Sequence, residues 1–387
     1  MRVLVTDGQQ RKSLAVARSL GSRGVQVIAA EDTRWAPTLF SKYCNLALVS
    51  PSPAKRPELY WQWLLEVWQQ HRYDLLLPMD DHSLRIVVEH QAELSGLCRT
   101  LLPPLEGYRV AADKARTARL AGCLGIDAPQ SFLPEDQSEL SELAAGLGYP
   151  LVIKPRHSSG SRGITVVRRQ EDLLPAYERV HARYPWPLLQ EYIPQGEKFD
   201  VCLLYDQAGT LRASFVQKEL RHFPLERGPS TVQESWHHPE LLHRADRLMA
   251  SLGWQGIAEV EFMIDPRDGC PQLMEINPRF WGSLACAIQA GVDFPWLYYQ
   301  LLTEGTCDPP VDYPAGLLCR WLLPGDLLHF ICSPGRFAMQ PPLLPIRRPN
   351  LHDDTICWAD PLPTLGVLSA CLHYLTDKEM WQAMFLR

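Results

Sequence analysis

Hydrophobic and polar positions alternate along the first hundred residues in a way that predicts a layered α/β unit. An apolar run over residues 2–6 predicts a strand, and a helical pattern separates it from a second strand over residues 25–30, as in a βαβ unit. An amphipathic, tryptophan-rich stretch over residues 59–70 precedes the apolar run at residues 74–78. Because such alternation is typical of a doubly wound sheet, we expect a Rossmann-like domain over residues 1–105.

The pattern changes after residue 106, where strands begin to follow one another directly. Apolar strand patterns occur at residues 150–155, 163–169, 187–193, 199–206 and 211–220. This order predicts an α+β domain over residues 106–305 in which antiparallel pairing dominates. The proline-rich remainder, residues 306–387, is expected to form a small, irregular C-terminal extension with a few short helices.

Composition narrows the classes of protein that this chain can represent. Its 387 residues are enough for two or three domains, and 46% hydrophobic with 21% charged residues is ordinary for a globular protein. A formal net charge of -6 offers no broad basic surface, so we expect no nucleic-acid partner. Any site for a polyanionic nucleotide therefore has to concentrate its cations locally.

Cysteine spacing and hydropathy indicate the compartment. The eleven cysteines include no CxxC pair, so we expect neither disulfides nor a structural zinc site. The N-terminus resembles a strand and not a secretion signal, and no apolar run reaches membrane-spanning length. We therefore expect a cytoplasmic protein with no membrane partner.

The turn after the first predicted strand lacks a dinucleotide-binding fingerprint. Gly8 is the only glycine that this turn offers, whereas the fingerprint needs three glycines for a tight turn and close approach to a pyrophosphate. We therefore expect no nicotinamide cofactor and interpret residues 1–105 as a scaffold whose strand ends face a shared cleft.

The candidate chemistry is concentrated in a predicted β-hairpin formed by residues 258–265 and 272–280. If its turn centres on Asp268, Glu261 faces Glu275, and Glu259 faces Asn277, so all four side chains share one face of the sheet. Like charges directly opposite one another repel, and a hard cation relieves that repulsion. Mg²⁺, with Mn²⁺ as an alternative, prefers such oxygen ligands. The alternative is a solvated acidic face without a metal.

A second group of candidates follows a buried strand that ends at Lys154. The loop after it contains Ser158, Ser159, Gly160, Ser161 and Gly163. An ammonium group beside free backbone N–H groups can surround phosphates. The alternative is a mobile glycine- and serine-rich connection that has a lysine at its base.

The order of these segments resembles the ATP-grasp superfamily. The resemblance rests on Asp113-Lys114, PLVIKP with its Gly/Ser loop, QEYIPQGEKFDV from Gln190, AEVEF and MEINPRFWGS, which cover residues 108–305 in the family's order. It implies a pre-ATP-grasp domain over residues 1–105, an ATP-grasp domain over residues 106–305 and a lid subdomain at about residues 115–190.

The resemblance also implies roles for individual residues. ATP is expected between two subdomains, with Lys114 and Lys154 at its phosphates and the Gly/Ser loop as a lid. The residues expected beside adenine and ribose are Gln190, Glu191, Tyr192, Ile193 and Glu197. The expected metal ligands are Glu261, Glu275 and Asn277. Arg279 is expected beside the transferred phosphate and acyl group, where a guanidinium can engage planar oxyanions.

The acceptor substrate is expected near two further groups of residues. Trp281, Gly282 and Ser283 form the turn just after Arg279. Lys218 and Arg221 lie between predicted strands, where they bind substrate or are ordinary exposed cations. Elsewhere, Arg320 binds a carboxylate or pairs with an acid such as Asp326.

Together these observations predict a carboxylate-amine ligase of ATP-grasp type. It would join a small-molecule carboxylate, such as an amino acid, to an amine through an acyl phosphate and release ADP and phosphate. One alternative is a carboxylase that acts through carboxyphosphate, although no biotin-carrier segment is visible. The other is a non-catalytic ATP-binding regulatory protein. A homodimer is compatible with the sequence.

Overall fold

A computed structural model describes residues 1–225, 228–309, 312–346 and 348–376, so the end of the expected C-terminal extension lies outside the described residues. The chain begins with a four-stranded parallel sheet of order β3-β2-β1-β4. Its strands are β1 (Arg2–Val5), β2 (Gln26–Glu31), β3 (Cys44–Val49) and β4 (Leu75–Leu77). The accompanying helices are α1 (Arg11–Gly21), α2 (Pro57–His71), α3 (Asp81–Glu89), α4 (Gln91–Leu94) and α5 (Leu105–Ala111). The predicted βαβ unit is thus present in β1, α1 and β2.

A second, smaller sheet of order β5-β8-β6-β7 pairs antiparallel throughout. Its strands are β5 (Ser131–Phe132), β6 (Leu151–Lys154), β7 (Thr165–Val167) and β8 (Leu188–Glu191). The helices of this segment are α6 (Lys114–Cys123), α7 (Leu140–Leu147) and α8 (Leu173–His181). Asp113 caps α6 by accepting hydrogen bonds from backbone N–H groups of the first turn. Helices α7 and α8 bury an apolar core against this sheet.

The third sheet is the largest and has the order β13-β12-β9-β10-β11-β14-β15. Its strands are β9 (Lys198–Tyr205), β10 (Leu211–His222), β11 (Ser230–Trp236), β12 (Gly256–Ile264), β13 (Pro271–Asn277), β14 (Leu318–Arg320) and β15 (Leu351–Asp353). The helices are α9 (Pro239–Ser251), α10 (Leu284–Gln289), α11 (Phe294–Glu304), α12 (Leu327–Cys332) and α13 (Pro363–Thr376). Antiparallel pairing joins β13 through β14, and only β15 is added in parallel.

The C-terminal segment is more regular than its proline-rich sequence predicts. Strand β14 pairs with β11, and β15 pairs with β14. Strand β14 gives backbone groups of β11 hydrogen-bonding partners that an exposed sheet edge would lack, and β15 does the same for β14. Strands of three residues, such as β14 and β15, could not be recognised in the sequence because they are too short to show the alternation of apolar and polar residues.

Side chains of the N-terminal helix α1 form hydrogen bonds and ion pairs with distant segments of the chain. The Lys12 ammonium donates a hydrogen bond to the carbonyl of Phe280 at 3.1 Å. Arg11 and Arg18 form ion pairs with the buried carboxylates of Asp354 and Asp360. The parallel sheet and the large sheet consequently contribute side chains to one apolar core. Among the helices of the described residues, none has the length and apolar character that crossing a bilayer requires.

Candidate active site

The hairpin of β12 and β13 has the predicted register at its four candidate residues, and an irregularity after Glu261 shifts the pairing by one residue nearer the turn. Glu261 lies opposite Glu275, and Glu259 lies opposite Asn277. The Asn277 amide donates one hydrogen bond to Glu261 Oε1 at 2.7 Å and another to Glu259 Oε2 at 3.0 Å. The amide therefore holds two like-charged side chains together on one face of the sheet.

Asp200 on β9 joins these carboxylates, and sequence reasoning missed it. It lies opposite Glu261, and one carboxylate oxygen from each of Asp200, Glu259 and Glu261 falls within 4.8 Å of the others. Burial and then the neighbouring carboxylates raise the pKa of all three groups well above its usual range. A hard cation would remove this penalty, so the donor set fits Mg²⁺ chemically. The alternation of Lys198 and Asp200 along β9 is the pattern that could have revealed it.

Glu275 has a different electrostatic environment from Glu261, which faces it. Its Oε2 lies 3.0 Å from the Lys114 ammonium. Burial alone would raise the pKa of Glu275, but Lys114 and Lys154 together lower it below its usual range. Glu275 is therefore the charge partner of both predicted phosphate-binding lysines.

Lys154 is buried at the end of β6, with 4% of its surface exposed. Its ammonium donates a hydrogen bond to the Met274 carbonyl at 3.1 Å. Burial lowers the pKa of Lys154 to about 8, although Glu275 acts in the opposite direction. A desolvated ammonium of this kind interacts strongly with an anion that enters the site.

The Gly/Ser loop after β6 lies beside both lysines. The Lys114 ammonium donates a hydrogen bond to the Ser158 carbonyl. Gly160 and Ser161 have left-handed φ values of 61° and 60°. Gly163 has φ 79°, and a Cβ atom there would lie 2.6 Å from the ring of Tyr184. The turn at residue 163 therefore requires glycine for both conformation and space.

A cavity of about 240 Å³ lies between the small sheet and the large one. Ten predicted site residues line it: Lys114, Lys154, Ser158, Ser161, Gln190, Glu191, Tyr192, Ile193, Glu261 and Glu275. Its apolar wall is formed by side chains that include Val152, Ile164, Phe262, Met263 and Met274. Lys198, Asp200 and Glu219 also line the cavity and were not predicted. The cavity thus combines apolar side chains with charged ones.

Two of the residues expected beside adenine, Gln190 and Glu191, have specific partners. The buried amide of Gln190 donates to Ser131 Oγ at 2.9 Å, and Glu191 pairs with Arg267 at 2.6 Å. Glu197, expected at ribose, is not among the residues that line the cavity, and its carboxylate pairs with Lys218.

Arg279 is fixed by acceptors from two parts of the chain. Its Nε donates to Asp81 Oδ1 at 2.7 Å, and its Nη2 donates to Asn277 Oδ1 at 3.2 Å. Burial would raise the pKa of Asp81, but the guanidinium lowers it far below its usual range. Asp81, at the first turn of α3, connects the N-terminal segment to the predicted catalytic arginine, and sequence reasoning missed it.

Several residues predicted to contact the acceptor substrate have other partners in the structure. Lys218 pairs with Glu197 and lies over the rings of Phe199 and Trp236. Arg221 is buried and forms two hydrogen bonds with Asp326, at 2.8 and 2.9 Å. These partners satisfy both cations, so the structure does not support their predicted contact with substrate. Asp326 also lies 4.0 Å from Arg320, which agrees with the pairing considered for that arginine.

In the turn after Arg279, the side chains of Trp281 and Ser283 are also buried and contact other parts of the protein. Trp281 is fully buried and meets Phe294 edge to face. Ser283 is buried and accepts a hydrogen bond from the Gln217 amide. Gly282 lines a separate, largely apolar cavity of about 300 Å³. Neither Trp281 nor Ser283 is among the residues that line the 240 Å³ cavity.

Comparisons with known proteins agree with this arrangement. The ATP-grasp domain family model matches residues 111–283. D-alanine–D-alanine ligase of Chromohalobacter salexigens is 31% identical over 232 residues, which are 55% of this chain and 73% of that ligase. For six other curated relatives, the match spans only 18% to 63% of their length.

Solved structures show the same fold at lower sequence identity. Biotin carboxylase from Campylobacter jejuni superposes with a TM-score of 0.68 and 16% identity, covering 80% of this chain and 72% of that one. L-amino acid ligase from Bacillus licheniformis superposes with a TM-score of 0.59 and 17% identity, covering 80% of this chain and 77% of that one. The chain belongs to the ATP-grasp superfamily, and its described residues have the ATP-grasp fold.

Proposed function

We propose that this protein is an ADP-forming carboxylate-amine ligase that binds ATP in the 240 Å³ cavity. The observation that carries the proposal is the arrangement of that cavity. The Gln190–Ile193 segment and apolar side chains line the same cavity as two lysines and buried carboxylates. A nucleotide needs this combination, because it has an apolar base and phosphates that bind cations.

The proposed domain roles follow from this placement. Residues 106–305 form the ATP-grasp domain, and the small sheet with its Gly/Ser loop is the lid. Residues 1–105 form the pre-ATP-grasp, Rossmann-like domain, and residues 306–387 form the C-terminal extension. Arg279 donates a hydrogen bond to Asp81, so the domain of residues 1–105 positions it.

The proposed divalent-cation ligands are Glu261, Glu275 and Asn277, with Asp200 and Glu259 beside them. Bound Mg²⁺ would supply positive charge that polarises the phosphates. Lys114 and Lys154 would offset the remaining phosphate charge, and the Gly/Ser loop would close over it and keep out water.

The proposed reaction needs no nucleophilic side chain from the protein. The substrate carboxylate attacks the γ-phosphate, ADP leaves, and the resulting acyl phosphate loses phosphate when the amine attacks. Arg279 stabilises the charge that develops on the transferring group, because its guanidinium is fixed beside Asn277 at 3.2 Å. We infer that the carboxylate belongs to an amino acid or a similar small metabolite, as the names of the matched ligases suggest.

The second candidate is a carboxylase that acts through carboxyphosphate. The observation in its favour is the fold similarity to biotin carboxylase, with a TM-score of 0.68. Bicarbonate would then replace the organic carboxylate at the same γ-phosphate.

One assay distinguishes these candidates. The protein is incubated with Mg²⁺, ATP and pools of amino acids, with and without bicarbonate, while ADP, AMP and phosphate are measured. ADP release that needs an amino acid but not bicarbonate supports the ligase. Bicarbonate-dependent ADP release supports the carboxylase, whereas AMP formation or no turnover contradicts the proposal. Arg279→Ala is the inactive control, and Arg179→Ala, at an exposed position on α8, is the matched control.

A further inference from the structure

A second and larger cavity adjoins the proposed ATP cavity. It measures about 520 Å³ and lies between helices α3, α5 and α6 and the loop of residues 156–162. Among the residues that line the two cavities, only Lys114 and Ser158 are common to both. The larger cavity is therefore a separate space that meets the proposed nucleotide site at the phosphate end.

The lining of this second cavity is strongly cationic. Its cations are Arg85, Arg109, Lys114, Arg116, Arg156 and Arg162. Its carboxylates are Asp81, Glu89 and Asp113. The six cations outnumber the three carboxylates of the lining in a chain whose formal net charge is -6, although Lys114 and Arg109 also pair with Glu275 and Glu106 outside the lining. Positive charge is therefore concentrated at this cavity, although the net charge of the whole protein is negative.

The carboxylates within the cavity do not offset its arginines one for one. Asp113 is buried, caps α6 and accepts hydrogen bonds from Arg156, and it also lies 3.8 Å from Arg116. A single negative charge thus faces two guanidinium groups. Arg162 donates its side-chain hydrogen bonds to the Ser159 carbonyl at 3.1 Å and to Ser159 Oγ at 3.0 Å, which are both uncharged acceptors. These guanidinium groups retain attraction for an added anion.

The inner end of the cavity reaches the proposed reaction centre. Asn277 and Pro278, directly before Arg279, belong to its lining, and so does Asp81, which bonds Arg279 at 2.7 Å. A ligand in the cavity can therefore place a reactive group beside Asn277 while its other end contacts arginines. Its volume suits a second small molecule next to ATP.

We propose that this cavity binds one of the two substrates and that this substrate carries a phosphate group or a second carboxylate. Its role as a substrate site rests on the proposed ligase function, whereas anion binding does not. The remote anionic group pairs with Arg116 and Arg162, and the reactive amine or carboxylate faces Asn277.

Direct binding tests the proposal. The protein is first saturated with MgADP so that the nucleotide cavity is filled, and is then titrated by calorimetry with O-phospho-L-serine, L-aspartate and L-alanine. We expect at least one of the two anionic probes to bind about tenfold or more tightly than alanine, because each charge-assisted hydrogen bond contributes at about that level. Tighter binding of phosphoserine identifies a phosphate-bearing ligand, and tighter binding of aspartate identifies a dicarboxylate.

Two exposed arginines provide the test variants. Arg116→Gln and Arg162→Gln should each weaken binding of the preferred anion by about tenfold. Both side chains are largely exposed, so neither variant should unfold the protein, and Arg179→Gln is the matched control with unchanged binding. Alanine binding as tightly as both anions, or anion binding unchanged in both variants, would overturn the proposal. Arginine-dependent anion binding without ADP release from any substrate would support the site and refute the ligase function.

Discussion

The Lys114 ammonium lies 3.0 Å from Glu275 Oε2, and Glu275 faces Glu261 across the hairpin. Two opposed carboxylates thereby have opposite pKa shifts. Burial acts to raise both pKa values. At Glu275 the two lysines outweigh burial and lower the pKa, whereas at Glu261 the facing Glu275 adds to burial and raises the pKa further. The negative charge that most needs a cation is therefore at Glu261 and its neighbours Glu259 and Asp200.

Divalent-cation dependence should follow from this asymmetry. We expect wild-type protein to bind ATP much more weakly without Mg²⁺, because the carboxylates repel the triphosphate. Glu261→Gln removes one ligand and should reduce the gain from Mg²⁺, while ATP binding in EDTA changes little because the raised pKa of Glu261 already favours its neutral form. Calorimetry under both conditions measures this, and equal wild-type affinity with and without Mg²⁺ would remove the metal assignment.

Lys154 should make ATP binding depend on pH. Burial lowers the pKa of Lys154 to about 8, and bound phosphates would raise it again because they favour the charged form. Affinity is therefore highest below that pKa and is lost as the pH rises through it, falling about tenfold between about pH 7 and about pH 9.

Lys154→Arg is the control for this titration. Arginine remains charged over the whole range, so ATP binding by this variant should vary much less with pH. Lys154→Ala should bind ATP weakly at every pH and keep the fold. A wild-type-like profile in Lys154→Arg would assign the titration to another group, and early melting of Lys154→Ala would indicate a structural lysine.

Arg279 should contribute more to turnover than to ATP affinity. The guanidinium lies beside Asn277, where the proposed reaction would develop charge on the transferring phosphate. Arg279→Ala should retain near-normal ATP binding but lose on the order of a hundredfold in substrate-dependent ADP release. Unchanged turnover would refute the role, and a matching loss of ATP affinity would show that Arg279 only anchors nucleotide.

Two glycines in the lid loop offer a matched pair of variants. Both have left-handed φ, so Gly160→Ala and Gly163→Ala each carry a conformational penalty of about 1 kcal/mol. At Gly163 the new methyl group would also overlap the Tyr184 ring, whereas at Gly160 it would meet no atom within 4 Å. We expect Gly163→Ala to lose more ATP affinity and more stability, measured by calorimetry and urea unfolding. Equal effects would show that the packing of Gly163 is unimportant.

The hairpin could be predicted in detail because its information is local. Strand alternation and a turn near Asp268 were sufficient to pair Glu261 with Glu275 and Glu259 with Asn277. The lysine of β6 and its loop were likewise recognisable from a short stretch of sequence. Each of these features depends on residues that are near one another in the chain.

The features that were missed depend on contacts between distant segments. Asp200 joins the carboxylates only because β9 lies next to β12 in the sheet. Arg221 was expected at the substrate because its partner, Asp326, is 105 residues away along the chain. Trp281 was expected at the site because sequence does not show that its ring points into the core. Strand order and side-chain direction, which decide these positions, are properties of the assembled sheet.

The ion pairs of helix α1 also affect how the protein can be made. Arg11 and Arg18 find their carboxylate partners, Asp354 and Asp360, 343 and 342 residues later. During synthesis helix α1 emerges before the segments that follow it, yet these two arginines gain their native partners only after residues 354 and 360 have also left the ribosome. The first sheet can therefore form early, but its final docking is a late event, and a chain that stops before residue 354 would leave two cations of a largely buried helix without their native partners.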